Sequence, residues 1–257
     1  MIEAIAELFE LTEIILWQWF TVFLRVGALV SLLPAFGEQS VPARVKLGIA
    51  LSFTMITAPA VSVPTLTMDL DMMVWVSITE TLAGLLLGIS IRLFILGLQT
   101  AGSIAAQSTS LAQILGGAVA EPVPAMGHIL VLGGLALAVM MGLHIRVTEF
   151  VIFSYEILPV GQLPSGVDVS AWGLSQIRRV FALAFTLAAP FVILSVLYNV
   201  ALGVINKAMP QLMVAFVGAP VITAGGLAIL CLCAPVLLTT WLEALNSFLA
   251  NPLSLAP

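Results

Sequence analysis

The sequence predicts an all-α, polytopic membrane protein built of kinked helical hairpins. Three observations carry that prediction. Hydrophobic residues make up 61% of the 257 residues and charged residues only 8%, against about 25% charged in an ordinary soluble domain. A soluble fold of this size must cover its outside with polar groups, so here lipid or partner proteins must supply the cover. The apolar residues also gather into long runs, and proline and glycine punctuate the breaks between them.

Taken in order, the first run extends from Ile14 to Leu33 and follows the acidic residues Glu3, Glu7, Glu10 and Glu13. A secretory signal begins with positive charge, so this run is expected to remain as a span. The second, Lys46 to Ala60, is short against the roughly 20 residues that cross a hydrocarbon core. The third runs from Val74 to Leu98, the fourth from Ile129 to Tyr155, the fifth from Val180 to Leu202 and the sixth from Leu212 to Trp241. Unequal lengths predict kinks, tilt or partial embedding.

Breaks fall at Pro34–Gly37, Pro59–Pro64, Pro122–Pro124, Pro159–Gly166 and Pro210. Proline lacks an N–H and restricts the residue before it, so each can end or restart a helix. Pro190, Pro220 and Pro235 lie inside apolar runs and predict kinks there. Arg44, Lys46, Arg92 and Lys207 fall on one side if the N-terminus is outside, with the acidic N-terminus, Asp69 and Asp71 on the other. That matches the positive-inside rule; Arg178 and Arg179 are the exception.

Charge and motifs exclude several function classes. A net charge of −5 lacks the basic footprint of a nucleic-acid binder. There is no HExxH pair, G-x-S-x-G elbow or Walker A loop, so no catalytic residue, cofactor or metal is assigned. Cys231 and Cys233 lie in an apolar run without further ligands at zinc spacing, and read as small apolar side chains. His144, Arg146 and Glu149 are expected to form an ion pair or a hydrogen bond to a neighbouring helix; a proton relay is the sharper alternative.

Arg25 sits mid-span, where an arginine costs about 2.5–3.5 kcal/mol on translocon scales. It is expected to bind carbonyls, a carboxylate or water in a protein interior; an ion or substrate path is the functional alternative. Gly84 and Gly88 form a GxxxG pair that lets helix backbones approach closely, and Gly133-Gly134 and Gly225-Gly226 look similar. The segment from Gln99 to Pro124 mixes small, hydroxyl and amide residues with one charge, Glu121. It reads either as a segment that lines or fills a pore or as a solvent loop, though it is long for a structureless connection and poor in charge. Asn199 to Gln211 sets three amides, Lys207 and Pro210 at the junction of two apolar helices. It reads either as a hairpin turn or as a polar contact surface for another subunit.

Three stretches together resemble the FliR family, the flagellar type III export-gate component whose virulence-secretion counterparts are called SctT. They are Leu24–Gly27 through Pro34 and on to Val41–Gly48; Gly84–Gly88 with the Gly102–Pro122 loop; and Asn199–Gln211 followed by Phe216–Pro220. The resemblance covers nearly the whole chain as one export-gate domain. It implies a FliP-like part over residues 1–176, with a pore loop at about 99–124, and a FliQ-like helical hairpin over 177–257. It implies a non-enzymatic subunit of the channel formed with FliP and FliQ, multi-pass in the bacterial inner membrane and part of the flagellar basal body. Unfolded flagellar proteins would be its cargo, and an FlhB-type switch protein and membrane lipid its other neighbours.

The pore plug would comprise Gln107, Ser108, Thr109, Leu111, Gln113, Ile114, Leu115, Gly116 and Gly117, with Leu111, Ile114 and Leu115 supplying apolar contacts. Family plugs can carry aromatics, and this loop has none. Subunit contacts are expected at Arg25, Arg44, Lys46, Gly84, Gly88, Asn199, Asn206, Lys207, Pro210 and Gln211. A virulence-secretion gate subunit and a secondary transporter for a small solute are the competing readings; few span carboxylates and no evident inverted repeat weigh against the transporter.

Overall fold

The computed structural model describes residues 2–62, 70–110, 125–209 and 214–252. Among them are seven α-helices and no strand: α1 (Ile2–Leu32), α2 (Ala43–Thr57), α3 (Leu70–Ser110), α4 (Ala125–Met140), α5 (Leu143–Ile157), α6 (Gly166–Ala208) and α7 (Val214–Ala250). The chain is an all-α, polytopic membrane protein. Among the described residues, four helices are long and apolar enough to cross a membrane, and the α4–α5 pair makes a fifth candidate.

Helix α3 is the axis of the bundle and touches α1, α4, α6 and α7. Its buried stripe, Leu87, Ile91, Phe94, Leu98, Ala101 and Ala105, keeps the three- and four-residue spacing of one helix face. Helix α1 answers with Val22, Val26 and Leu29, and Leu33 follows just past its end. Phe248 of α7 closes the core, its ring 5.2 Å from Phe94 and 5.7 Å from Phe150. Trp241, fully buried, donates its indole N–H to the Phe94 carbonyl at 2.9 Å, which satisfies its polar atom inside an apolar core.

The fourth apolar run is not one straight helix. It breaks into α4 and α5, which meet at 74°. The break sits at Gly142, whose φ of 85° is left-handed backbone that glycine adopts without a Cβ clash. The second run forms the fifteen-residue α2, too short to span alone. Helices α3, α6 and α7 outrun their apolar cores, at 41, 43 and 37 residues. At about 1.5 Å per residue each is roughly 55–65 Å long. Helix α6 runs through Pro190, and α7 through Pro220 and Pro235, with the helix continuing beyond each.

Candidate functional site

The polar segment divides in two. Residues 99–110 are not loop; they continue α3. Their hydroxyls bond back to the helix instead of breaking it: Ser103 to Gln99, Ser108 to Ala105, and Thr109 to Ala105 and Ala106. Gln107 is exposed, whereas Ser108 and Thr109 are buried, so these two face the chain's own interior. Leu111, Gln113, Ile114, Leu115, Gly116 and Gly117 lie outside the described residues.

The base of that segment is tightly built. A Cβ on Gly102 of α3 would strike the backbone of Gly127 in α4. A Cβ on Gly226 of α7 would strike the Thr109 side chain. Three helices therefore converge at the end of α3 and the start of α4, and small residues permit the approach.

Arg25 is fully buried. Its guanidinium donates to both oxygens of Glu80 in α3, at 2.8 and 3.0 Å. Further donation goes to Ser154 Oγ at 3.1 Å and to the Leu158 carbonyl at 2.8 Å, and the guanidinium lies 3.7 Å from the Tyr155 ring centre. Glu80 also accepts the Gly161 N–H at 3.4 Å, and Trp75 donates to the Gly161 carbonyl at 2.9 Å. The pair thus ties α1, α3, α5 and the α5–α6 turn together. A planar guanidinium suits this bidentate geometry, and the bonds to Ser154 and Leu158 occupy two of its other donors, as a buried charge requires.

That burial fits the interior, paired role expected of a mid-span arginine. Gly84 and Gly88 also turn inward. A Cβ on Gly84 would strike the Arg25 carbonyl, and one on Gly88 would sit 3.0 Å from Leu32 Cβ. The GxxxG face joins α3 to α1 within the chain. Lys46 bonds the Gly37 carbonyl at 2.9 Å and holds the α1–α2 turn; Arg44 is exposed. Arg146 and Glu149 do form an ion pair, at 3.1 Å on the exposed face of α5.

At the far end of the hairpin, Asn206 and Lys207 are exposed in the last turn of α6, where a cation suits the helix dipole. Asn199 bonds back to the Ser195 carbonyl at 2.8 Å. Pro210 and Gln211 lie outside the described residues. Sequence reasoning missed Glu80 as the partner of Arg25, although it is one of only two carboxylates within the apolar runs.

The outer face of this hairpin is open. The chain's own residues bury 33% of the most apolar stretch of α6 and 22% of that of α7, against 56% in α3. Exposed apolar side chains follow α6 from Phe181 through Phe185, Val196 and Val204 to Ile205, with no charged residue among them; before Phe181 the exposed residues include Asp168, Ser170 and Arg178. That stripe is about 36 Å long at about 1.5 Å per residue, close to the roughly 30 Å of a hydrocarbon core. Lipid or a neighbouring protein must cover it.

Comparison with known proteins gives a consistent result. Residues 16–248 match the family described as bacterial export proteins, family 1. The flagellar biosynthetic protein FliR of Caulobacter vibrioides is 32% identical, over 89% of this chain and 92% of its own length. FliR of Escherichia coli is 27% identical over 92% and 91%, and FliR of Bacillus subtilis 28% over 84% and 85%.

Proposed function

The chain belongs to the FliR family of bacterial flagellar export proteins, and from that premise we propose that it is a non-enzymatic channel subunit of the flagellar type III export gate. Membership makes it a component of flagellar biosynthesis and of the flagellar export apparatus in the membrane. Its finer role, in this reading, is to assemble with FliP and FliQ subunits in the inner membrane. Unfolded flagellar proteins pass through the resulting channel, and the FlhB-type switch protein contacts its base.

The observation that carries this reading is the exposed apolar face of α6 from Phe181 to Ile205, on a hairpin of which the chain itself buries little. A protein neighbour of matching apolar character supplies the missing cover, and a FliQ hairpin is that neighbour. Residues 1–176 form the FliP-like part and 177–257 the FliQ-like hairpin. Asn206, Lys207, Pro210 and Gln211 contribute the polar end of the contact.

Residues 111–124 form the pore plug in this reading. The convergence of Gly102, Gly127 and Gly226 supports it, because a plug needs a base that does not splay. Leu111, Ile114 and Leu115 provide the seal without aromatics.

Co-expression with the FliP and FliQ proteins of the same genome tests the assignment. A stable heteromeric complex containing this chain is expected after detergent extraction. A defined monomer or homo-oligomer that transports a small solute in vesicles would instead support the transporter reading.

A further inference from the structure

A half-enclosed cavity of about 280 Å³ opens among α3, α5 and the first turns of α6. Its wall includes Leu87, Phe150, Ile157, Val169 and Trp172. At roughly 30 Å³ for a group the size of a water, it has room for on the order of nine such groups, more than one side chain fills. Ser154 and Leu158 also line it, but the Ser154 hydroxyl and the Leu158 carbonyl already accept bonds from Arg25. Little hydrogen-bonding capacity is left to hold water there.

Asp168 is the one charged residue among the described lining residues, and its exposure puts it at the mouth. Ser165 fixes its position: the Ser165 hydroxyl accepts the Asp168 N–H at 3.1 Å and donates to Oδ2 at 2.6 Å. No cation pairs with Asp168 among the described residues. Beside it, Trp172 donates its indole N–H to the Pro252 carbonyl at 2.9 Å. An aromatic with one apolar and one polar side is the usual occupant of a membrane–water boundary.

We propose that this cavity is a lipid site, which holds an acyl chain of a phospholipid whose ammonium headgroup pairs with Asp168. Charge complementarity selects the headgroup: phosphatidylethanolamine presents an ammonium to the carboxylate, whereas phosphatidylglycerol presents only negative charge. The apolar wall selects the tail. The site goes beyond the export role and stands whether or not FliQ covers the hairpin.

The test uses the full chain in vesicles of phosphatidylethanolamine and phosphatidylglycerol, with a photoactivatable phosphatidylethanolamine that carries a diazirine on its acyl chain. Labelling is expected to concentrate on Phe150, Ile157, Val169 and Trp172, well above that of the exposed Leu232 on α7. Val169→Trp projects an indole across the cavity and should cut wall labelling by about ten-fold, as a loss of most of the buried tail implies. Asp168→Asn, a surface change that leaves packing alone, should lower the preference for phosphatidylethanolamine over a matched phosphatidylglycerol probe by about three-fold, the scale of a rim ion pair. Wall labelling no higher than at Leu232 overturns the site. So does labelling unchanged in a Val169→Trp variant that elutes like the parent, or cross-linking that finds the cavity filled by a partner protein or by residues 253–257. An unchanged headgroup preference in Asp168→Asn overturns the role of the carboxylate.

Discussion

Arg25 and Glu80 meet through two hydrogen bonds, 2.8 and 3.0 Å long, with both side chains almost wholly removed from solvent. The pair joins helices 55 residues apart in the chain. It also fixes the turn that leads into the C-terminal hairpin, through Leu158 and Gly161. One turn further along α3, Gly84 lies against the Arg25 backbone, so the close approach of α1 and α3 and the ion pair depend on each other.

Removing one partner leaves the other charge buried without a counter-charge. Arg25→Met or Glu80→Leu alone should each destabilise the chain by about 3–5 kcal/mol, while the double change should cost less than either single change. Thermal unfolding of the detergent-purified variants reads this directly. Additive losses would mean that the two residues act separately.

The glycines offer an internal control. Gly102→Ala should lower stability by about 1–3 kcal/mol, because the added methyl meets the Gly127 backbone. Gly48→Ala in α2, where nothing lies within 4 Å, should instead be neutral or raise stability by up to about 1 kcal/mol. Equal effects at the two positions in the same assay would remove the close-packed base of the 111–124 segment.

Shortening residues 111–117 in the assembled complex should let small ions leak. Single-channel or planar-bilayer conductance is the readout. A closed-state conductance equal to that of the parent complex would count against a plug in this segment.

Lys207→Glu reverses the charge at the end of α6 and should reduce recovery of FliQ or the FlhB-type protein on the tagged chain by several-fold. Arg146→Glu, on an exposed face of α5, serves as the comparison and should leave recovery intact. Undiminished recovery with Lys207→Glu would free that residue from the contact.

Much of the fold was legible because composition and hydrophobic runs report directly on solvent. The extra helix was not. Met140, Met141 and Leu143 flank Gly142 without a proline, and only the glycine's left-handed backbone divides α4 from α5. Likewise, Ser103, Ser108 and Thr109 look like loop residues, but their hydroxyls bond back to α3 and let it continue. Arg25 announced an interior role by its mid-span position, and the structure supplies a carboxylate, a carbonyl and a hydroxyl for it. Its partner Glu80 depends on tertiary packing and not on local spacing. The same packing turned Gly84 and Gly88 toward α1, where a GxxxG pattern by itself does not say which helix it faces.

The central claim is that protein, and specifically FliQ, covers the exposed apolar face of α6. Site-specific photo-cross-linking from Val196 and Val204, both exposed on that helix, tests it most directly in cells that express the whole export apparatus. The account predicts FliQ adducts from both positions. Adducts with lipid alone at both, in cells that assemble flagella, would contradict it.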